Sequence, residues 1–399
     1  MKCREVENEM RVLFVGNETQ QVTHIAYALD RMGHEVAIYP QPIEKVLEKN
    51  DYMQRFSSFL QNSDLDFVIS NIFNPYLAQV TYDLNLKYVV YGMDSPMFSI
   101  YRNEKESKYK NCYLFLLDCM ECERLKKRGY TNVYHMPLGS DDYTARNISI
   151  SDEEISNYQC DISFVGSLYS DNTFDQNIGK FPPSVQENFS VMLERSALCW
   201  DGIDRLSPQL VPDVIEEIKA VLSNVGMYAG NMGEAEYLRT FFFARKWTHI
   251  ERTLLLELLA EQYDLRLYTW DHQIVPESIR RFPTVQFEDS LKIYYSTKIN
   301  LNITLRSIES GIPLRIFDIM SVGGFVLSNW QPEIPDLFDE GKEIVTFKTP
   351  EEMLEKADYY LNHEEERQRI ALSGYRKVKE CYTFEHQLKK IIAILYPTL

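Results

Sequence analysis

The stretch LNITLRSIESGIPLRIFDIMSVGGFVLSNWQPEI, residues 301–334, decides the reading of the fold. It continues an apolar run, KINLNIT (298–304), which reads as a buried strand. Gly311 then frees the backbone and lets a ligand come close. Pro313 suits the first turn of a helix, expected over 313–322 with Ile316, Phe317, Ile319 and Met320 packed inward. GFVLSN (324–329) is the next strand. Strand, helix, strand implies a right-handed crossover between parallel strands.

The same alternation extends both ways. Downstream lie EIVTF (343–347) and three closing helices, 350–361, 364–380 and 383–395. Upstream lie DLRLYTW (264–270) and TVQF (284–287), both read as strands. The pattern of this half starts at CDISFVGSLY (160–169), and the roughly ninety residues after it carry helical but little strand signal. They read as a helical insertion over about 170–262. An earlier half runs RVLFVG (11–16), a helix over 19–32 closed by Gly33, EVAIY (35–39), a helix to about 61, DFVIS (66–70), a helix near 75–84, KYVVYG (87–92), CYLFLL (112–117), a helix to Arg128, and NVYHMP (132–137). The expected fold class is α/β, with two Rossmann-like domains over 10–150 and 158–382. Residues 1–9 read as a disordered extension, 139–157 as a polar linker, and 383–399 as a closing helix.

A chain of 399 residues is long enough for two such cores. Its 42 Lys and Arg against 59 Asp and Glu give a net charge of −17, which argues against nucleic acid as a partner. A local basic pocket for one small anion stays open. No apolar run approaches 18 residues, and MKCREVENEMRVLFVG lacks the apolar core of a signal peptide. A cytoplasmic protein with at most peripheral membrane association is expected. Seven cysteines, an odd number, then read as reduced thiols. Cys119 and Cys122 form a CxxC with Cys112 upstream, but no second pair stands at zinc spacing, so helix packing is expected there and no metal site.

In parallel sheets, ligands lie beyond the carboxyl ends of the strands. That rule singles out the loops Gly16–Thr19, Gly92–Ser95, Gly166–Ser170, Trp270–His272, Asn302–Leu314 and Asn329–Glu333. The amino end of the 313–322 helix, with the backbone of Gly311, Ile312, Pro313 and Leu314, is a ready anion site. Arg315 offers a planar fork for a diphosphate, and Asp318 on the same helix side offers an acceptor for ribose hydroxyls. An exposed i,i+3 ion pair is the other reading of that spacing.

The motif GIPLRIFDIMSVGGFVLSNWQPEIPDLFDEGKEIVTF resembles the nucleotide-sugar region of GT-B glycosyltransferases of the group 1 type, and the CgeB-like (spore-maturation-type) branch most closely. DISFVGSLY (161–169), YGMDSP (91–96), FLLDCMECERLKKRGYTNVYHMPLGS (115–140) and the tail YYLNHEEERQRIALSGYRKVKECYTFEHQL resemble that family in the same order. The resemblance implies a GT-B fold, two Rossmann-like domains facing a central cleft, with the last helix crossing back to the first. It implies a metal-independent glycosyltransferase with no cofactor beyond its donor, a nucleotide-diphosphate sugar, UDP-sugars being the expected donors. The implied acceptor is a glycan, a protein or a lipid-linked molecule, in bacterial surface, envelope or spore glycosylation, at the inner face of the membrane or with the spore.

The likeness also assigns residues. Arg315 and the 311–314 backbone would hold the diphosphate, with Gly166, Ser167 and Tyr169 adding phosphate or sugar contacts. Gly16, Asn302 and Asn329 sit on the selected loops, Trp270 would wall the base pocket, and Glu333 would touch ribose or sugar. Asp94 and His24 are the candidate bases for the acceptor. In group 1 enzymes a second acid stands about eight positions before the one matched by Asp318. Here that position is Ser310, so Arg306 and Glu309 are expected to fill its place. A nucleotide-sugar epimerase and an inactive GT-B protein with a structural role remain the alternatives.

Overall fold

The computed structural model describes residues 9–16, 20–39, 49–222, 229–271 and 277–397. The extension 1–8, residues 17–19 of the first selected loop and His272 lie outside them. The chain divides into two compact units, Met1–Asp141 with Tyr382–Leu399, and Asp142–Cys381.

The first unit holds six parallel strands, β1 (Arg11–Val15), β2 (Glu35–Tyr39), β3 (Phe67–Ser70), β4 (Lys87–Gly92), β5 (Cys112–Leu116) and β6 (Val133–His135), in the order β2-β1-β3-β4-β5-β6. The second holds β7 (Ile162–Val165), β8 (Leu265–Tyr268), β9 (Arg280–Phe282), β10 (Ile299–Asn302), β11 (Val326–Asn329) and β12 (Val345–Phe347), in the order β12-β11-β10-β7-β8-β9, again all parallel. Helices on both faces bury the interior strands, so β3, β8 and β10 are buried at every position and β7 at all but its last.

The edge strand β9 lacks that signature. β9 is Arg-Arg-Phe and mostly exposed, and the sequence pattern did not mark it. The TVQF run at 284–287 is not a strand: the edge strand ends before Pro283, and Phe287 opens the helix Phe287–Ser296. Proline has no amide for a ladder bond, so the strand stops there. The stretch 139–157 is likewise no plain linker. It folds into the helices Asp142–Asn147 and Asp152–Tyr158, and the second starts on a capping box between Ser151 and Glu154. Pro313 caps the Leu314–Ser321 helix rather than standing in its first turn.

The residues between β7 and β8 are mostly helical, from Thr173–Asn177 to Ala244–Ala260. Phe174, Phe181, Phe189, Phe242 and Phe243 form an aromatic core there, with centroids 4.8–6.3 Å apart. A π-helical turn, Leu238–Phe243, leads directly into Ala244–Ala260. In the second sheet the chain runs β7-β8-β9 outward, then returns to the other side of β7 as β10. The strand order reverses between β7 and β10. A parallel sheet offers its ligand crevice at that point, beyond the carboxyl ends of both strands.

Candidate donor-binding site

Two loops leave that reversal point, Gly166–Ser170 after β7 and Ile303–Pro313 after β10. Gly166 has φ 154°, and a Cβ there would collide with the Arg315 guanidinium. Only glycine lets the loop and the arginine approach this closely. Asp271 staples the loop: its carboxylate accepts hydrogen bonds from the Leu168 and Ser170 amides (2.6 and 3.0 Å) and from the hydroxyls of Ser167, Ser170 and Thr269. Burial pushes the Asp271 pKa up, but these hydrogen bonds outweigh it and hold the group below the usual range.

Arg315 lies in the first turn of Leu314–Ser321, a helix entered without a side-chain cap. Its first amides are therefore open to an anion. The guanidinium donates to Asn302 Oδ1 at 3.0 Å and rests on the Phe164 ring, 5.0 Å from the centroid. Asn302, wholly buried, is fixed in turn by Thr304 and Ser328. Asn329 holds the loop after β10 by accepting the Thr304 amide at 2.6 Å. No described carboxylate pairs with Arg315, so it is not half of an i,i+3 ion pair with Asp318. Asp318 itself is buried.

A second arginine, which the sequence did not reveal, stands beside the first. Arg252 projects from Ala244–Ala260 and is 2% exposed. It donates to the carbonyls of Ile303 and Ser167, so it ties both loops together. Its Cζ lies 5.1 Å from the Phe164 centroid and 4.9 Å from that of Tyr169. Burial pushes its pKa down to about 10, Tyr169 pulls the other way, and the Arg315 charge lowers it further. A buried cation beside a second, half-buried one, with no described carboxylate paired to either, is costly unless an anion joins them.

Several expected contacts are placed otherwise. Arg306 does not offer its side chain to a ligand. It forms a bidentate pair with the wholly buried Glu251 (Nε to Oε1 3.0 Å and to Oε2 2.9 Å), between the rings of Trp200 and Trp247. Glu309 is paired with Arg239 of the π-helical turn. Ser310, where the first acid was expected, donates to Glu333 Oε1 at 2.7 Å, and both are buried. Ser167 spends its hydroxyl on Asp271 and on the Tyr169 amide, so it shapes the loop rather than facing phosphate. Trp270 is 54% exposed, and Gly311 and Ile312 are buried.

Residues 245–393 match the family model described as "Glycosyl transferase-like". The matched segment starts at Arg245, so it takes in the helix that carries Arg252. Solved structures superpose over nearly the whole chain. The glycosyltransferase from Rickettsia africae ESF-5 is 12% identical with a TM-score of 0.54, covering 98% of each chain. Anabaena Alr3699/HepE in complex with UDP and glucose is 8% identical with a TM-score of 0.53, over 98% of this chain and 100% of that one. Sucrose-phosphate synthase (tll1590) from Thermosynechococcus elongatus is 10% identical with a TM-score of 0.53, over 98% and 100%. The fold is GT-B. No curated protein matches the sequence.

In the amino-terminal unit of this GT-B chain, His24 lies on the helix Gln20–Arg31 with Nδ1 3.5 Å from Asp141 Oδ2. Asp141 also meets Arg31 at 3.3 Å, and Arg31 meets Glu385 at 2.7 Å. Gly16, at the end of β1, is buried and gives its amide to the Tyr39 carbonyl. Asp94 is exposed on the turn after β4, and the short helix that follows is capped by Met97 without a side-chain hydrogen bond, so Asp94 is not its cap. Cys122 is buried and Cys119 half-buried, and no group of metal-ligating side chains lies among the described residues. No helix among them is long and apolar enough to cross a membrane.

Glu121, also missed from sequence, supports the Asp94 turn. Its carboxyl, 1% exposed, accepts from Ser95 Oγ and the Met97 amide, both at 2.9 Å. Burial, reinforced by the Asp118 charge, pushes its pKa from 4.5 up to about 7. A raised carboxyl pKa means that its stabilising contribution is full below pH 4.5 and is lost as pH rises through 7. Glu121→Gln keeps an acceptor for the Met97 amide, lets Nε2 donate to the Ser95 hydroxyl instead, and removes the titration. Its unfolding free energy, followed by urea titration, should therefore exceed wild type at pH 8 by on the order of 3 kcal/mol and match it near pH 4.5. A constant difference across that range would refute the assignment.

Proposed function

We propose that this protein is a glycosyltransferase that takes a nucleotide-diphosphate sugar, with UDP-sugars preferred, and passes the sugar to a glycan, protein or lipid-linked acceptor. One observation carries the reading: Arg252 and Arg315 flank the Gly166 loop and an uncapped helix entry, and no carboxylate among the described residues pairs with either. A diphosphate supplies the missing charge and uses the forked donors that remain. As the sugar–phosphate bond breaks, charge builds on the same oxygens, and both guanidiniums stabilise that leaving group without a metal. Asp318 and Glu333 are the carboxylates for ribose and sugar hydroxyls, and exposed Trp270 is the platform for the base. His24, oriented by Asp141, is the better-supported base for the acceptor, since base plus orienting carboxylate is the arrangement general-base catalysis needs. Asp94 is the second candidate. The matched glycosyl transferase-like segment supports the reaction class. The setting that fits is bacterial surface, envelope or spore glycosylation.

Calorimetry with UDP, GDP, dTDP and CMP, followed by turnover assays on the corresponding sugar donors, tests the proposal. Tight binding of one nucleoside diphosphate with slow hydrolysis or transfer of its sugar is expected. Failure of every nucleotide to bind would overturn it. Binding with no turnover would mark an inactive GT-B protein, and sugar interconversion without an acceptor an epimerase.

A further inference from the structure

The two arginines belong to a longer array. Arg245, His249 and Arg252 stand on one face of the Ala244–Ala260 helix, four and three residues apart. That face meets the loop after β7. His249 Nδ1 bonds the Leu168 carbonyl at 2.9 Å, and Arg252 donates to the Ser167 carbonyl. The Arg245 guanidinium lies 5.8 Å from the centroid of Tyr169, on which Arg252 also rests. The result is a ladder of three cations interleaved with two rings: Arg245, Tyr169, Arg252, Phe164, Arg315.

Tyr169 is forced into the ladder. Its φ is 57°, a conformation that costs a non-glycine residue energy and persists only where its surroundings insist. They do: Ser167 Oγ accepts its amide at 2.8 Å, and Asn172 Nδ2 donates to its carbonyl at 3.0 Å. No described carboxylate pairs with any of the three arginines, although the chain carries 17 more acids than bases. Glu251, adjacent in sequence, is committed to Arg306. His249 does not add or remove charge, because burial keeps its pKa below the ordinary histidine value against the pull of the Leu168 carbonyl.

A nucleotide-diphosphate sugar brings two negative charges, and the ladder offers three positive ones. Arg245 stands two helical turns from Arg252, about 10 Å along the axis, a span that a hexose attached to the diphosphate can bridge. Arg245 is exposed, so its guanidinium is accessible to an anionic group on the ligand. Resting on the diphosphate reading above, we infer that the donor sugar is itself acidic, a hexuronic acid whose carboxylate pairs with Arg245. The ring face of Tyr169 holds the guanidinium in place for that contact.

Matched donor pairs test this without any acceptor present. UDP-glucose against UDP-glucuronate, UDP-galactose against UDP-galacturonate, and GDP-mannose against GDP-mannuronate differ only in the sugar carboxylate. By calorimetry, in the nucleotide series the protein binds, at least one acidic donor should bind about ten-fold or more tightly than its neutral partner. Arg245→Gln should erase that margin while leaving the affinity for the free nucleoside diphosphate within two-fold of wild type. Binding of the diphosphate with no margin in any pair overturns the inference alone, and so does a margin that survives Arg245→Gln. Absence of any nucleotide binding overturns the underlying donor reading as well.

Discussion

Arg315→Ala should lower kcat/KM for the nucleotide-sugar donor about 100- to 1,000-fold, with the fold intact by circular dichroism. The charge-assisted hydrogen bonds a guanidinium gives to phosphate contribute roughly 1.5–3 kcal/mol each. In the proposed donor complex this arginine also meets the oxygens on which charge develops, so part of its contribution appears only in the transition state and the loss falls on kcat as well as on KM. Arg315→Lys keeps the charge and loses the fork. A Lys ammonium would also lose the planar rest on Phe164 and the fixed bond to Asn302. It should therefore recover only part of the activity. A fall in kcat/KM of less than three-fold for the alanine variant would remove Arg315 from the site.

Glu251→Ala should be the most destabilising single change in the carboxy-terminal unit outside its apolar core. It strips the carboxylate from Arg306, whose guanidinium is sandwiched between Trp200 and Trp247 and reaches only the Cys199 carbonyl besides. It also removes the acceptor for the Leu198 amide, on a residue held at φ 63°. Breaking a buried pair from one side costs about 3–5 kcal/mol. For a unit of this size that corresponds to a melting temperature lower by roughly 10 °C. The double variant Glu251→Ala with Arg306→Met removes the stranded charge, and should be more stable than Glu251→Ala alone. Differential scanning calorimetry reads both. If the single and double variants melt together, Arg306 is not the group left uncompensated.

The backbone of the site was largely legible, and its charges were not. Apolar runs ending in Gly166 and Asn302 marked the two strands, and Gly311, Pro313 and Arg315 marked the helix entry between them, because local periodicity and turn chemistry fix those features. Arg252 was invisible. It lies within the helical insertion, and a charged residue on a helix usually faces water. Its partners are 51 and 85 residues away. Arg306 is the opposite case: it is expected, with Glu309, to fill the place of the acid missing at Ser310, and a carboxylate 55 residues upstream holds its guanidinium. The bond partner of the Ser167 hydroxyl, Asp271, is 104 residues on. Pairings of that range follow from the tertiary fold, and no residue spacing encodes them. The short edge strand β9 escaped for a related reason, since exposed strands need no apolar pattern.

The discontinuous make-up of the amino-terminal unit has a consequence for the order of events on the ribosome. Phe384–Leu395 docks against residues of the first 141: the Phe384 amide bonds the Ser140 carbonyl, Gly139 leaves room for the Thr383 backbone, Arg31 pairs with Glu385, and the Tyr396 hydroxyl reaches the Asp66 carbonyl. Between Asp141 and Tyr382 the ribosome must make the whole of the other unit, Asp142–Cys381. At about 5–20 residues per second that takes roughly ten to fifty seconds. Throughout that delay the nascent first sheet exposes the surface its last helix will cover, and the unit made in the meantime is complete in sequence before that helix emerges. The part synthesised earliest is thus the part completed last, and it is there that a chaperone would have work to do during translation.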